Sequence, residues 1–392
     1  MLALRLARGA HPLVLLRRLL VAAASAGVGF LLLCTLGYAI GHPGESRTSL
    51  LRLAWCALPL AATVHFAVAV ARTDPATRPR PGLSAIGLGP ARLAAIAAAS
   101  TAVSCTLGSM VALLVFLHLR GDLTGLPFDG AAAELLAAGR PLPLAGALTL
   151  LAITPAVASG AAALALRPRR KPVLDDDPDA AEPAAATAPT GLPWGVALLA
   201  LGLAVETYTS ARPTGATGAA ALTLPGGLGG TPAGVLVGWA LTALGLAVAG
   251  PGLTHLCGRL LQTFRPGVVR LLAGRALMDE ARRIGRPLGV ACAVASATIA
   301  ATRLYEQGGA RPLGPLTGLG AALVMACAAA TLLTSALESR QTRVTTKDAL
   351  LRLGASAGLL RMAVALRALS LLAMFVPLTW AVAELAALPL RR

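Results

Sequence analysis

The chain has 392 residues, of which 56% are hydrophobic and only 13% are charged. Soluble domains carry about 25% charged residues, so this composition argues against a soluble enzyme; disorder is excluded because it requires low hydrophobicity. The net charge of +17 does not indicate nucleic-acid binding, since no basic stretch contains interleaved aromatic residues. We therefore expect an all-α, polytopic integral membrane protein in contact with the lipid bilayer.

Nine stretches of the sequence are apolar over roughly the 20 residues that a helix needs to cross a bilayer. The fifth and seventh are the shortest. In chain order the stretches are Leu19–Ile40, Leu53–Ala71, Leu93–Leu117, Leu142–Leu166, Leu192–Thr209, Ala233–Leu256, Pro287–Leu304, Leu316–Leu337 and Leu360–Ala383. They predict about nine transmembrane helices.

The basic residues between the spans indicate which side of the membrane each segment occupies. Such residues concentrate in the cytoplasmic segments of membrane proteins. If the N-terminus is cytoplasmic, most of the 34 Lys and Arg residues fall on the cytoplasmic side, including the cluster Arg169-Arg170-Lys171. We expect a multi-pass protein of a bacterial plasma membrane with its N-terminus in the cytoplasm.

Residues 167–191 divide the spans into two groups, because this stretch combines charge with an Ala/Pro/Thr-rich run that cannot bury a core. We expect a disordered cytoplasmic linker there, after a first unit of four spans at residues 1–166. Two intervening spans follow at residues 192–256. A second unit occupies residues 257–392 and has three spans, preceded by a basic amphipathic helix.

An internal repeat is predicted by the spacing of the spans. Aligning Gly87 with Gly354, 267 residues later, places the first three spans on the last three. The same alignment superposes the loop between the second and third spans on the loop between the last two. Internal repeats of this kind are common in transport proteins.

In both aligned loops a charged stretch leads into a short apolar segment that contains glycine. Such a segment is typical of an amphipathic helix that ends at a glycine on the cytoplasmic face. It can bind a cytosolic partner or lie among the lipid headgroups. The residues of these two cytoplasmic segments are Ile86, Gly87, Leu88, Gly89 and Arg92, and Leu351, Leu353, Gly354 and Ala355.

The remaining polar residues form no catalytic or metal-binding pattern. The six cysteines have no CxxC spacing, and the sequence contains no HExxH motif and no GxxxxGK[ST] phosphate loop, so we expect neither an enzyme nor a cofactor. His65 lies midway along the second span, where either a buried hydrogen bond between helices or a substrate contact explains it. Glu206 and Glu384 lie near span ends, where we expect interfacial positions. A midspan carboxylate, typical of ion-coupled secondary transporters, is not found.

The segment Ala336–Leu372 resembles the FtsX-like permease family, the membrane subunits of one class of ABC transporters. Glu338 matches the acidic residue that follows a span in this family, and Leu351-Arg352-Leu353-Gly354-Ala355 matches its LRALGA core. The first copy, Val70–Ala95, is less similar, and Arg270–Pro287 resembles the basic amphipathic helix that precedes a family unit. The chain departs from the family in its short outer loops and in the missing last span.

The resemblance implies a permease subunit that moves or extrudes a substrate and is energised by a separate ABC ATPase chain. The two cytoplasmic segments would then be the ATPase-coupling loops. Pairing with a second copy or with a different subunit stays open, and neither the substrate nor the direction of transport is indicated. The alternatives are a degenerate, permease-like membrane protein that regulates a partner, and a secondary transporter.

Overall fold

The computed structural model describes residues 12–74, 90–123, 129–134, 136–167, 189–210, 233–263, 267–305, 315–342, 352 and 356–388. Within these ranges the protein is all-α, as the sequence predicts, and contains no strand. The helices are α1 (Pro12–Gly41), α2 (Ser46–Thr73), α3 (Pro90–Arg120), α4 (Leu144–Leu166), α5 (Gly191–Ser210), α6 (Ala233–Gln262), α7 (Val268–Tyr305), α8 (Pro315–Thr342) and α9 (Ala357–Ala387).

Eight of the helices in the described part of the chain are long and apolar enough to cross a membrane, and these eight make the protein a multi-pass membrane protein. The helix outside this set is α7, whose first half is densely charged. The second half of α7 coincides with the predicted span Pro287–Leu304. The ninth crossing therefore stays a prediction.

The basic amphipathic helix predicted at Arg270–Pro287 is not a separate element. It is the first half of α7, a helix of 38 residues in total that is not interrupted at Pro287. A proline normally kinks or breaks a helix. Here α6 packs along both halves of α7, with Gly258 against Gly274 at one end and Leu246 against Gly289 at the other. This packing supports α7 on both sides of the proline.

The helices fall into two compact units, with a boundary inside α8 between Thr331 and Leu332. The first unit contains α1 to α4 and the beginning of α8. Its centre is α1. In the most apolar 18-residue stretch of each helix, 56% of α1 is buried, compared with 28% for each of α2, α3 and α4. Val28 and Leu33 on α1 and Phe116 on α3 are fully buried. Most of the surface of the outer helices thus remains available to lipid.

The second compact unit contains α5, α6, α7, the end of α8, and α9. Its centre is α6, which is also 56% buried and which packs along both α5 and α7. Glycines permit this close approach, because a Cβ atom on Gly245 of α6 would lie 2.6 Å from the backbone nitrogen of Leu199 on α5. Close backbone contact between small residues is a general way of associating helices in lipid.

Candidate functional site

The structure describes only one of the nine residues predicted to form the cytoplasmic segments. Arg92 lies in the first turn of α3 and is exposed. Ile86, Gly87, Leu88, Gly89, Leu351, Leu353, Gly354 and Ala355 lie outside the described residues. The helix after the second segment begins at Ala357, where the Oγ atom of Ser356 accepts a hydrogen bond from the backbone N–H of Leu359 at 3.3 Å. A capped helix start therefore follows two residues after Gly354.

His65 lies on the exposed side of α2 and not in the interior of the first unit. It borders an open groove of about 450 Å³, lined otherwise by apolar residues of α2 and by Val157 of α4. Both explanations for His65, a hydrogen bond between helices and a substrate contact, stay predictions. The groove is compatible with a substrate contact, because ligand sites are mostly apolar and contain a few polar side chains.

At one end of the first unit, two adjacent arginines of α1 bind the end of α2. Arg18 Nη2 lies 2.8 Å from Asp74 Oδ2, and Arg17 Nη1 donates to Thr73 Oγ1 at 3.2 Å. The side chain of Asp74 is only 9% exposed. A carboxylate directly after a helix C-terminus is unfavourable next to the negative end of the helix dipole, so Arg18 supplies the compensating charge.

In the second unit, the first half of α7 is bound to the helices on both sides of the second cytoplasmic segment. Arg283 Nη2 donates to Glu338 Oε1 near the end of α8 at 3.3 Å. Arg367 Nη2 on α9 donates to Glu280 Oε2, and both of these side chains are largely buried. The charged half of α7 is therefore part of the packed unit.

The two units share one arrangement. In each, the helix that leads into a cytoplasmic segment is bound through a carboxylate to an arginine of an earlier helix. The partners are 56 residues apart in the pair Arg18–Asp74 and 55 residues apart in the pair Arg283–Glu338. The sequence indicated Glu338 but no partner for it, and it did not indicate Asp74. An acidic residue close to the end of a long apolar run, next to basic residues, is the signal that would have found both.

The interfacial position expected for Glu206 stays a prediction, but its side chain is fully buried between α5 and α6. Its Oε1 atom accepts a hydrogen bond from the indole N–H of Trp239 at 2.8 Å. Glu384, by contrast, is 32% exposed, accepts a hydrogen bond from Trp380, and lies 3.8 Å from Arg303. The two carboxylates that looked equivalent in the sequence therefore have opposite environments.

The ionisable side chains in the described part of the chain do not form a metal site of three or more His, Cys, Asp or Glu residues. All six cysteines are buried and unpaired. Among the described residues, the charged side chains therefore form ion pairs between helices, and the buried Glu206 accepts a hydrogen bond from Trp239. Comparison of the chain with protein-family models, with curated proteins and with solved structures finds no match.

Proposed function

We propose that this protein is the transmembrane subunit of an ABC-type transporter, energised by a separate ATPase chain. In this proposal the segments around Gly87 and Gly354 bind the ATPase, and the helices move or extrude a substrate. The resemblance to FtsX-like permeases supports the proposal, and so does the absence of a phosphate-binding loop in the sequence. The protein would act in a bacterial plasma membrane with a second copy or with another permease subunit.

The observation that carries the proposal is the pair of matching ion pairs next to the cytoplasmic segments. Asp74 follows the last residue of α2, the last described helix before the first segment, and Glu338 lies four residues before the end of α8, the last long helix before the second. A partner that pushes on either segment would displace the end of α2 or α8, and an ion pair joins each of these ends to a second helix. Force applied outside the membrane would then reach two helices together, as a coupling element requires.

The proposed arrangement has nine spans and a cytoplasmic N-terminus, and it makes a direct prediction about topology. Single cysteines at positions 176 and 275, introduced into a chain without its native cysteines, should react only with reagents that reach the cytoplasm. Cysteines at positions 129 and 215 should react with an impermeant maleimide added outside. Reaction of positions 129 and 176 from the same side would contradict the arrangement.

The ATPase partner predicts a specific loss of activity. When the tagged chain is purified in mild detergent from the membranes of its own organism, an Mg-ATP hydrolysis activity should co-purify with it. Gly354→Val should reduce this activity at least roughly tenfold, since a β-branched residue strains the left-handed conformation that ends such a helix. The matched control is Gly358→Val, because a Cβ atom on Gly358 meets nothing within 4 Å.

The same preparation separates the proposal from its alternative. The chain produced alone should hydrolyse no ATP, so activity of the isolated chain would contradict a separate motor. If Gly87→Val and Gly354→Val together leave the co-purified activity unchanged, the two segments do not bind the ATPase. That result would favour the regulatory, non-transporting alternative.

A further inference from the structure

Glu206 lies between α5 and α6, where glycines on both helices let the two backbones come very close together. We call this contact, around Gly202, Glu206, Gly238 and Thr242, the α5–α6 seam. A Cβ atom on Gly238 would lie 3.0 Å from the Cβ atom of Glu206, and one on Gly202 would lie 2.6 Å from the backbone nitrogen of Thr242. At these positions the two helix backbones approach each other too closely for any side chain larger than hydrogen. The carboxyl group of Glu206 is consequently sealed, with no exposed surface.

The hydrogen bonding of this carboxyl group is incomplete. Trp239 donates to Oε1, but Oε2 has no hydrogen-bond partner within the described ranges. Thr242 Oγ1, one turn beyond Gly238 on α6, is also buried and unpartnered among these residues. A buried polar atom without a partner is rare in proteins and asks for a functional explanation.

No described cation compensates a negative charge at Glu206. The stretch of α6 opposite it, residues 234–242, contains no ionisable side chain, and Tyr208 on α5 is exposed. Helix α9 also contacts α5. Of its ionisable residues, Arg361 is exposed, Arg367 binds Glu280, and Glu384 lies next to Arg303. A buried carboxylate with one neutral donor and no counter-ion among the described residues is costly, and in membrane spans such groups mark functional sites.

We propose that Glu206 is a proton-binding site inside the α5–α6 seam. The carboxyl group carries its proton while the two helices are closed, with the carbonyl oxygen bound to Trp239. It releases the proton to water, leaving a carboxylate, only when α5 and α6 separate at Gly202 and Gly238. This site does not depend on the transport role proposed above.

Infrared spectroscopy of the full chain in lipid nanodiscs at neutral pH tests the site directly. The spectrum of the wild-type protein minus that of Glu206→Gln should show the loss of one carboxylic-acid C=O band. The matched control is Glu384→Gln, which also removes a carboxyl group bound to a tryptophan but one that is partly exposed and next to Arg303. The control should lose carboxylate bands and no acid band. Loss of carboxylate bands in Glu206→Gln would overturn the proposal.

A second variant keeps Glu206 in place. Trp239→Phe removes the indole donor to Oε1, so the acid C=O band should move to higher frequency while its intensity is retained. An unshifted acid band, or a shift among the carboxylate bands instead, would overturn the proposal. This measurement does not require Glu206→Gln to fold.

Discussion

Gly285→Leu should destabilise the protein by about 3 kcal/mol, at the upper end of the cost of overpacking. A Cβ atom at Gly285 on α7 would lie 2.6 Å from the backbone nitrogen of Pro251 and 2.7 Å from the carbonyl carbon of Gly250, both on α6. These are backbone atoms, so no side-chain rotation relieves the overlap and the two helices must separate. The measurement is the unfolding free energy in detergent, supported by the yield of monodisperse protein.

Gly160→Leu is the matched control, because Gly160 is also in a helix interior but has no atom within 4 Å of its Cβ position. Leucine is the better helix former by about 0.5–1 kcal/mol, so this variant should be as stable as the wild type or slightly more stable. Equal destabilisation by both substitutions would mean that close packing of α6 against α7 is not what the glycine provides.

Arg367→Met should also cost about 3 kcal/mol, because it removes the arginine that binds a buried carboxylate. The side chain of Glu280 is only 8% exposed and that of Arg367 only 15%. Arg283→Met is the comparison, since Arg283 is 54% exposed in its pair with Glu338. An exposed pair contributes about 1 kcal/mol or less. Chemical or thermal unfolding in the same detergent measures both variants.

A double variant shows whether the stability lost in Arg367→Met comes from charge or from packing. If the cost of Arg367→Met comes from the charge left on Glu280, adding Glu280→Gln should restore more than half of it. If the double variant is no more stable than the single one, the packing of the Arg367 side chain, and not its charge, stabilises the contact between α7 and α9.

The sequence determined where the helices are. The predicted fourth span, Leu142–Leu166, differs from α4 by two residues at one end, and the predicted fifth, Leu192–Thr209, differs from α5 by one residue at each end. A long apolar run bounded by charge, proline or glycine is a local property, so it can be read without knowledge of the neighbouring helices. The sequence indicated an amphipathic helix at Arg270–Pro287 and a span at Pro287–Leu304 but not that the two are one continuous helix, α7.

Only the tertiary structure decided which face of each helix is buried. In lipid both faces of a span are apolar, so the pattern of hydrophobic residues does not distinguish the side that meets a helix from the side that meets a lipid tail. Glu206 and Glu384 show the consequence, since both end apolar spans but only Glu206 faces the glycine seam of a neighbouring helix. The sequence also does not indicate the partners of Asp74 and Glu280, because these partners lie on helices distant in the sequence.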